Sequence, residues 1–251
     1  MNNFFVDENS KNGNTYQITG ADYNHIANVL RMKKGDTFLI SDNGQSHLCR
    51  IDDISCECVT AEIIEENYQN TQLPVKIYLF QGLPKSDKIE LIIQKCVELG
   101  VHSVIPVEMS RCVVTLDNKK KQSKVSRWQS IAESAAKQSK CSIVPEIGQV
   151  MTYKQALQKA SGLDLILVPY ENERGMAATK DALNKIQSGM SVGIFIGPEG
   201  GFDEKEITLA DEAGGLRISL GKRILRTETA AITAVGMCML HIEMNVDGDN
   251  V

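Results

Sequence analysis

Apolar and polar positions change rhythm near residue 72. Before it, short alternating runs predict strands over residues 4–6, 16–18, 37–40, 48–51 and 58–64, since a period of two sets one strand face on a core. Asp42-Asn43-Gly44 is a hairpin signal, and one helix, roughly 21–30, interrupts the strands. These features predict a small β-rich, barrel-like module. After it comes a polar linker at 65–72, ended by Pro74.

Beyond the linker, strand and helix periods alternate. Buried strands are predicted at 75–80, 101–107, 163–168, 192–196 and 216–220. Ile89, Ile92, Ile93, Cys96 and Val97 repeat at helical spacing behind a capping-box-like pair, Asp87 and Glu90, and Gly100 closes that helix. Val125, Trp128, Ala132 and Ala135 mark a second helix, and others are expected at 176–186, from Asp203 to about 213, and at 227–243. Such alternation predicts an α/β domain with a mostly parallel sheet covered on both faces. The expected division is therefore 1–72 and 73–251.

Charge sharpens that division. Residues 1–72 hold five basic and eleven acidic side chains, whereas the remainder holds 22 and 21. Residues 111–140 carry eight basic side chains against two acidic ones, a local cationic stretch within a chain of net charge -5. A nucleic-acid surface and a solvated helix face both fit it. Apolar runs such as 192–196 fall well short of the roughly 20 residues that span a membrane. The N-terminus has no basic region followed by an apolar stretch, so no signal peptide is expected and the location expected is cytoplasmic. Seven cysteines without CxxC spacing and four histidines outside any ligand pattern argue for reduced thiols and no metal.

Two segments carry the candidate chemistry. Gly197-Pro198-Glu199-Gly200-Gly201-Phe202 follows the 192–196 strand and precedes a helix start, a geometry in which backbone N–H groups point at a ligand. It matches neither common phosphate-loop pattern. Asp203 and Glu206 would repel an anion there, so a neutral or cationic ligand suits it, with a tight structural turn as the alternative. The second segment is Leu220-Gly221-Lys222-Arg223-Ile224-Leu225-Arg226-Thr227-Glu228-Thr229-Ala230. Thr227 is the expected N-cap of the last helix, and Glu228 favours its positive end. Three cations in five positions call for an anionic partner.

Together these two segments resemble the bacterial RsmE family, small-subunit ribosomal RNA methyltransferases of the SPOUT superfamily that act on N3 of a uridine. The likeness extends over most of the chain, through His25, Val29-Leu30-Arg31 and Gly35-Asp36, Leu83-Pro84-Lys85, Asp87-Lys88, Glu98-Leu99-Gly100, Arg127-Trp128, Gln138 and Val144-Pro145-Glu146. It implies a PUA-like barrel followed by a SPOUT-type parallel sheet with a C-terminal trefoil knot, one of the rare exceptions to un-knotted connections. It also implies a homodimer acting on 16S ribosomal RNA or the small subunit. S-adenosylmethionine would be held by Gly197, Pro198, Glu199, Gly200, Gly201, Leu220, Gly221, Ile224, Leu225, Thr227, Thr229 and Ala230.

Methylating N3 requires the imide proton to leave, so the site needs a base, a cation to stabilise the uridinate, or both. Arg226 is the first candidate for the cation, with Arg223 and Lys85 behind it; Glu228 or Glu199 is the candidate base. Candidate RNA contacts are Arg31, Lys33, Lys34, Arg111, Arg127 and Lys140. Cys141 stands where the family usually has Arg, with Lys140 just before it, and a lysine offers a point charge in place of a bidentate fork. A SPOUT enzyme acting on another RNA position, an assembly factor without catalysis and a small-molecule enzyme are the competing readings.

Overall fold

Tyr16 and Ile18 are buried while Gln17 and Thr19 are exposed, the alternation of a strand with one face on a core. In the computed structural model, which describes residues 1–68 and 70–246, the chain forms two units. One comprises Met1–Gln72 with Ala136–Val144, the other Leu73–Ala135 with Pro145–Val251. Residues 136–144 were expected in the second unit. They belong to the first because the Cys141 carbonyl accepts a bond of 3.0 Å from Asn3 Nδ2 and Lys137 Nζ lies 3.1 Å from Asp22 Oδ1. Of the linker read at 65–72, Gln69 lies outside the described residues.

The first unit holds β1 (Asn3–Phe5), β2 (Lys11–Asn12), β3 (Thr15–Thr19), α1 (Gly20–Asn24), β4 (Thr37–Asp42), β5 (Gln45–Ser55) and β6 (Cys58–Glu65). The strands lie in the order β1-β4-β5-β6-β3-β2. Asn43 and Gly44, at φ 46° and 82°, make the two-residue turn the hairpin signal predicted between β4 and β5. Phe4, Tyr16, Phe38, Ile51 and Val59 fill the interior. The predicted helix at 21–30 is in fact α1 continued by π-helical turns over His25–Val29.

In the second unit the elements run β7 (Lys76–Gly82), α2 (Lys88–Glu98), β8 (Ser103–Glu108), α3 (Asn118–Ser139), β9 (Glu146–Ile147), β10 (Met151–Thr152), α4 (Tyr153–Ala160), β11 (Leu165–Pro169), α5 (Ala177–Leu183), β12 (Ser191–Ile196), α6 (Glu204–Glu212), β13 (Leu216–Ile218) and α7 (Thr227–Asn245). The end of α3, from Ala136 onward, counts with the first unit. The sheet order is β10-β8-β7-β12-β11-β13 with β9 also beside β8, and the paired strands are all parallel.

Phe80 stacks on Phe195 at 4.4 Å, and both belong to one core with Tyr153 and Leu157 of α4 and Ile207 of α6. Ile77 and Leu79 point the other way by the strand's period of two and are equally buried. On that side α2 packs against α7, which crosses β7 and β12.

Two expected caps differ. Asp87 makes no side-chain cap bond to α2: the Glu90 N–H bonds the Asp87 backbone carbonyl at 3.0 Å instead, and the Glu90 carboxylate accepts both arms of Arg127 at 2.7 and 3.0 Å. Arg226 occupies the N-cap of α7 and Thr227 is its first helical residue. The box at α6 forms as expected, with Asp203 and Glu206 bonding reciprocally. Among the described residues no helix is long and apolar enough to cross a membrane.

Candidate active site

The carboxyl ends of parallel strands are where α/β sheets hold ligands. Here Pro169, Ile196 and Ser219, at or just past the ends of β11, β12 and β13, border a cavity of about 420 Å³ within the second unit. That volume lies within the range of small-molecule sites, roughly 300–1,000 Å³.

Two loops form most of the wall. In the first, Gly201 donates its N–H to the Pro198 carbonyl at 2.9 Å, closing a turn with Gly201 at φ 67°. A side chain at Gly197 would sit 3.0 to 3.2 Å from the backbone of Gly201 and Phe202, so the tightness of the turn requires glycine. Arg111 Nη1 braces the loop from outside with a bond of 2.9 Å to the Gly200 carbonyl. In the second loop Gly221 takes φ 106° with open space around its Cα. Ser219, just before it, exchanges two bonds with the buried Thr179 hydroxyl at 2.8 and 3.0 Å.

A buried relay joins the first loop to α7. Gln81 Nε2, near the end of β7, donates to Thr227 Oγ1 at 2.9 Å, and that hydroxyl donates to the Gly197 carbonyl at 2.7 Å. This explains why Thr227 does not cap its helix: its hydroxyl is committed to the glycine loop.

Charge around the cavity is mixed. Glu171, Glu173, Glu199 and Lys88 line it with Lys222, Arg223 and Arg226. Glu199 Oε1 accepts the Lys85 backbone N–H at 3.0 Å and faces Lys88 Nζ at 3.1 Å. Burial pushes the Glu199 carboxyl up, but backbone N–H donors and Lys88 outweigh it and hold the group below the usual carboxylate range. Glu199 is therefore a weak base. Lys88, bonded first to Glu199 and also to Glu228, is raised above the ordinary lysine value. Among the described residues, Lys85, Lys222, Arg223 and Arg226 make no ion pair.

Of the candidate cofactor residues, Gly197, Pro198, Glu199, Gly201, Leu220, Gly221, Ile224, Leu225, Thr227 and Ala230 line the cavity, whereas Gly200 and Thr229 do not. Gly200 turns toward Arg111, whose Cβ would lie 3.0 Å from a side chain placed there. Arg223 and Arg226 line it; Lys85 and Glu228 stand beside it through Glu199 and Lys88. Sequence reading passed over Lys88, Tyr170, Glu171 and Glu173. Lys88 had a signal, since it follows Asp87 in a stretch that carries the family resemblance, but its reach to two distant carboxylates is non-local.

The candidate RNA residues divide differently. Arg31 and Lys33 are exposed ahead of β4, while Lys34 pairs with Asp52 at 3.2 Å. Within the cationic stretch, Arg111, Lys120, Lys121, Arg127 and Lys137 each face a carboxylate, of Asp203, Asp117, Glu108, Glu90 and Asp22 respectively. Four of those five partners lie outside the stretch, so its linear excess of charge overstates the cationic surface. Arg111 and Arg127 are occupied in this way. Lys140 takes φ 59° and its carbonyl accepts the Thr71 hydroxyl at 3.4 Å. No group of His, Cys, Asp and Glu among the described residues could hold a metal ion.

Comparison with known proteins finds relatives of both units. A family model described as an RNA methyltransferase domain matches residues 71–239, and one described as an RNA methyltransferase PUA domain matches residues 18–64. Ribosomal RNA small subunit methyltransferase E of Bacillus subtilis (strain 168) is 40% identical over 92% of this chain and 91% of its own. The protein of that name from Mesomycoplasma hyopneumoniae (strain 232) is 34% identical over 95% and 99%. Among solved structures, the Neisseria gonorrhoeae methyltransferase E bound to S-adenosyl methionine superposes with a TM-score of 0.80 at 31% identity, covering 96% of this chain and 97% of that one. A putative methyltransferase from Legionella pneumophila, in complex with the same cofactor, gives 0.80 at 30% identity over 95% and 96%.

Proposed function

The chain belongs to the ribosomal RNA small subunit methyltransferase E family, and on that premise we propose that it methylates N3 of a uridine in small-subunit ribosomal RNA, using S-adenosylmethionine. The observation that carries the reading is the cavity itself: two glycine loops line it at the sheet's carboxyl edge, together with carboxylates and with Lys222, Arg223 and Arg226, which make no ion pair among the described residues.

The residues present fit the cofactor. Gly197, Gly201 and Gly221 add no side chains to the wall, and Ile196, Leu220 and Leu225 supply apolar surface. Glu171 and Glu173 suit a ligand bearing a positive sulfur. When bound, S-adenosylmethionine supplies an electrophilic methyl group.

The chain's own residues then have two tasks. The uridine N3–H proton must leave as the N3–CH₃ bond forms. Arg226, at the N-cap of α7 and on the cavity wall, stabilises the negative charge that develops on the uracil ring, as a fixed cation does for any developing anion. Arg223 and Lys85 hold the approaching phosphates. Glu228, in the first turn of α7, is the better candidate to take the proton: both carboxylates face Lys88, but Glu199 also accepts the Lys85 N–H and is held below the usual carboxylate range. Holding N3 in line with the methyl group supplies much of the remaining acceleration.

The first unit is the RNA-docking module, with Arg31 and Lys33 as its contacts. Two further features belong to this reading. The segment from 216 to 227 passes through the loop region around 197–201 to form the trefoil knot; the Thr227 bond to Gly197 supports that crossing. The chain pairs as a homodimer through α7, whose exposed Leu240 and Met244 stand near a helix partner, α2, with its own exposed Leu91. Apolar side chains on a helix's outer face call for a cover.

The test is methyl transfer from labelled S-adenosylmethionine to small ribosomal subunits that lack the modification, with nucleoside mass spectrometry of the product. The expected product is 3-methyluridine. Label in another nucleoside would overturn the target, and binding of cofactor and subunit without transfer would favour an assembly factor.

A further inference from the structure

Lys88, the first residue of α2, joins three separate parts of the site. Its ammonium lies 3.1 Å from Glu199 Oε1 on the first glycine loop and 3.3 Å from Glu228 Oε2 in the first turn of α7. All three side chains are partly withdrawn from solvent, at 31%, 27% and 15% exposure. Glu199 has a second donor in the Lys85 N–H. Glu228 Oε2 is buried and makes no hydrogen bond among the described residues, so the ion pair with Lys88 is its compensation.

Resting on the methyltransferase reading above, we propose that Lys88 is a positioning residue: one ammonium ion ties the first glycine loop to the start of α7 and thereby fixes Arg226 relative to the loop that holds the cofactor. Arg226 is two residues before Glu228 on the same turn, so any shift of Glu228 moves it. Without the cation, Glu199 and Glu228 would share the space around it with no counter-charge between them. Like charges sharing a half-buried site repel, and a buried charge stripped of its partner is strongly unfavourable. Loop and helix would then part, and a displacement of about 1 Å suffices to cost on the order of 100-fold in rate. A lysine suits the task because its compact ammonium can face two acceptors on different sides, where a guanidinium presents a planar fork.

The test compares Lys88→Met, Lys88→Arg and the triple variant K88M/E199Q/E228Q with wild type. Cofactor affinity is read by calorimetry, and amide exchange is followed over 197–201 and 227–230. Lys88→Met should weaken cofactor binding by about 10-fold and lower kcat by about 30-fold, with KM for the ribosomal subunit within about twofold, as expected of impaired alignment. Exchange should quicken in both segments together. Lys88→Arg should recover part of both losses. The triple variant, which removes the uncompensated charges, should bind cofactor more tightly than Lys88→Met and return both segments toward wild-type exchange.

Three results would overturn the proposal: unchanged affinity and kcat in Lys88→Met, a loss confined to KM for the subunit, or a triple variant that binds no better than the single one. If wild type transfers no methyl group, the functional reading fails instead. The affinity and exchange comparisons then still decide the role of Lys88.

Discussion

Gln81 and Thr227, 146 positions apart in the chain, share a buried hydrogen bond of 2.9 Å in which the amide donates to the hydroxyl. Thr227 passes the link on to the Gly197 carbonyl. Thr227→Val keeps the shape of the side chain and removes both bonds, leaving the Gly197 carbonyl without this donor. The expected loss is about 1–3 kcal/mol of stability by urea denaturation, accompanied by weaker cofactor binding in calorimetry. Full retention of affinity would mean the glycine loop holds its shape unaided.

Gly82 tests the same wall from the other side. A Cβ there would lie 2.7 Å from both the nitrogen and the Cδ of Pro198 and 2.9 Å from Met109 Sδ. Proline cannot swing aside, so Gly82→Ala should push the loop outward. Overpacking of this kind costs about 1–3 kcal/mol. The melting temperature should fall, and cofactor affinity should fall with it.

Arg226→Ala separates binding from chemistry. Arg226 makes no ion pair among the described residues, so its removal strands no carboxylate. Single-turnover transfer should slow by about 100-fold, the scale of removing one electrostatic donor, while calorimetric cofactor affinity stays near wild type. Full turnover would exclude the proposed stabilising role.

The salt dependence of subunit binding tells occupied cations from available ones. Removing one cation that neutralises a phosphate should lower the slope of log affinity against log salt by about 0.7–0.9. Lys222→Gln and Arg223→Gln are expected to do so. Arg127→Gln is not, because its guanidinium already donates twice to Glu90.

Acid should weaken the fold through two histidines. Burial, then the nearby Lys11, lowers the pKa of His47; burial, then Lys76, lowers that of His102. Between the ordinary value of about 6.5 and the lowered folded values, the unfolded chain binds protons that the folded chain does not. Stability therefore declines as pH drops below about 6.5 and this decline stops once the folded pKa is passed. The variant H47Q/H102Q should show a shallower change in urea midpoint from pH 7 to pH 5.

Local pattern made much of this legible. The β4–β5 turn needed only Asn43 and Gly44, and the α6 start needed only Asp203 and Glu206, because each signal lies within four residues. The helix α4 went unread although Thr152 and Gln155 form a full capping box. Two of its four buried residues are alanines, Ala156 and Ala160, and a face that small leaves a weak hydrophobic period. The strands β9 and β10, of two residues each, are too short for any period. Lys88 and Gln81 escaped for another reason: their partners come from loops and helix starts more than a hundred positions away. Spacing along the chain could not show that the cations at 111–140 meet carboxylates from elsewhere.

The discontinuous first unit has a bearing on how the chain is made. Its sheet is complete in sequence by Glu65, yet Asn3, Asp22 and Thr71 each bond to Cys141, Lys137 and Lys140 in turn. During synthesis at roughly 5–20 residues per second, the nascent barrel therefore waits several seconds for its closing segment. Through that interval β1, with its buried Asn3 and Phe4, lacks one of its tethers. A ribosome paused between the two stretches would hold a half-finished domain.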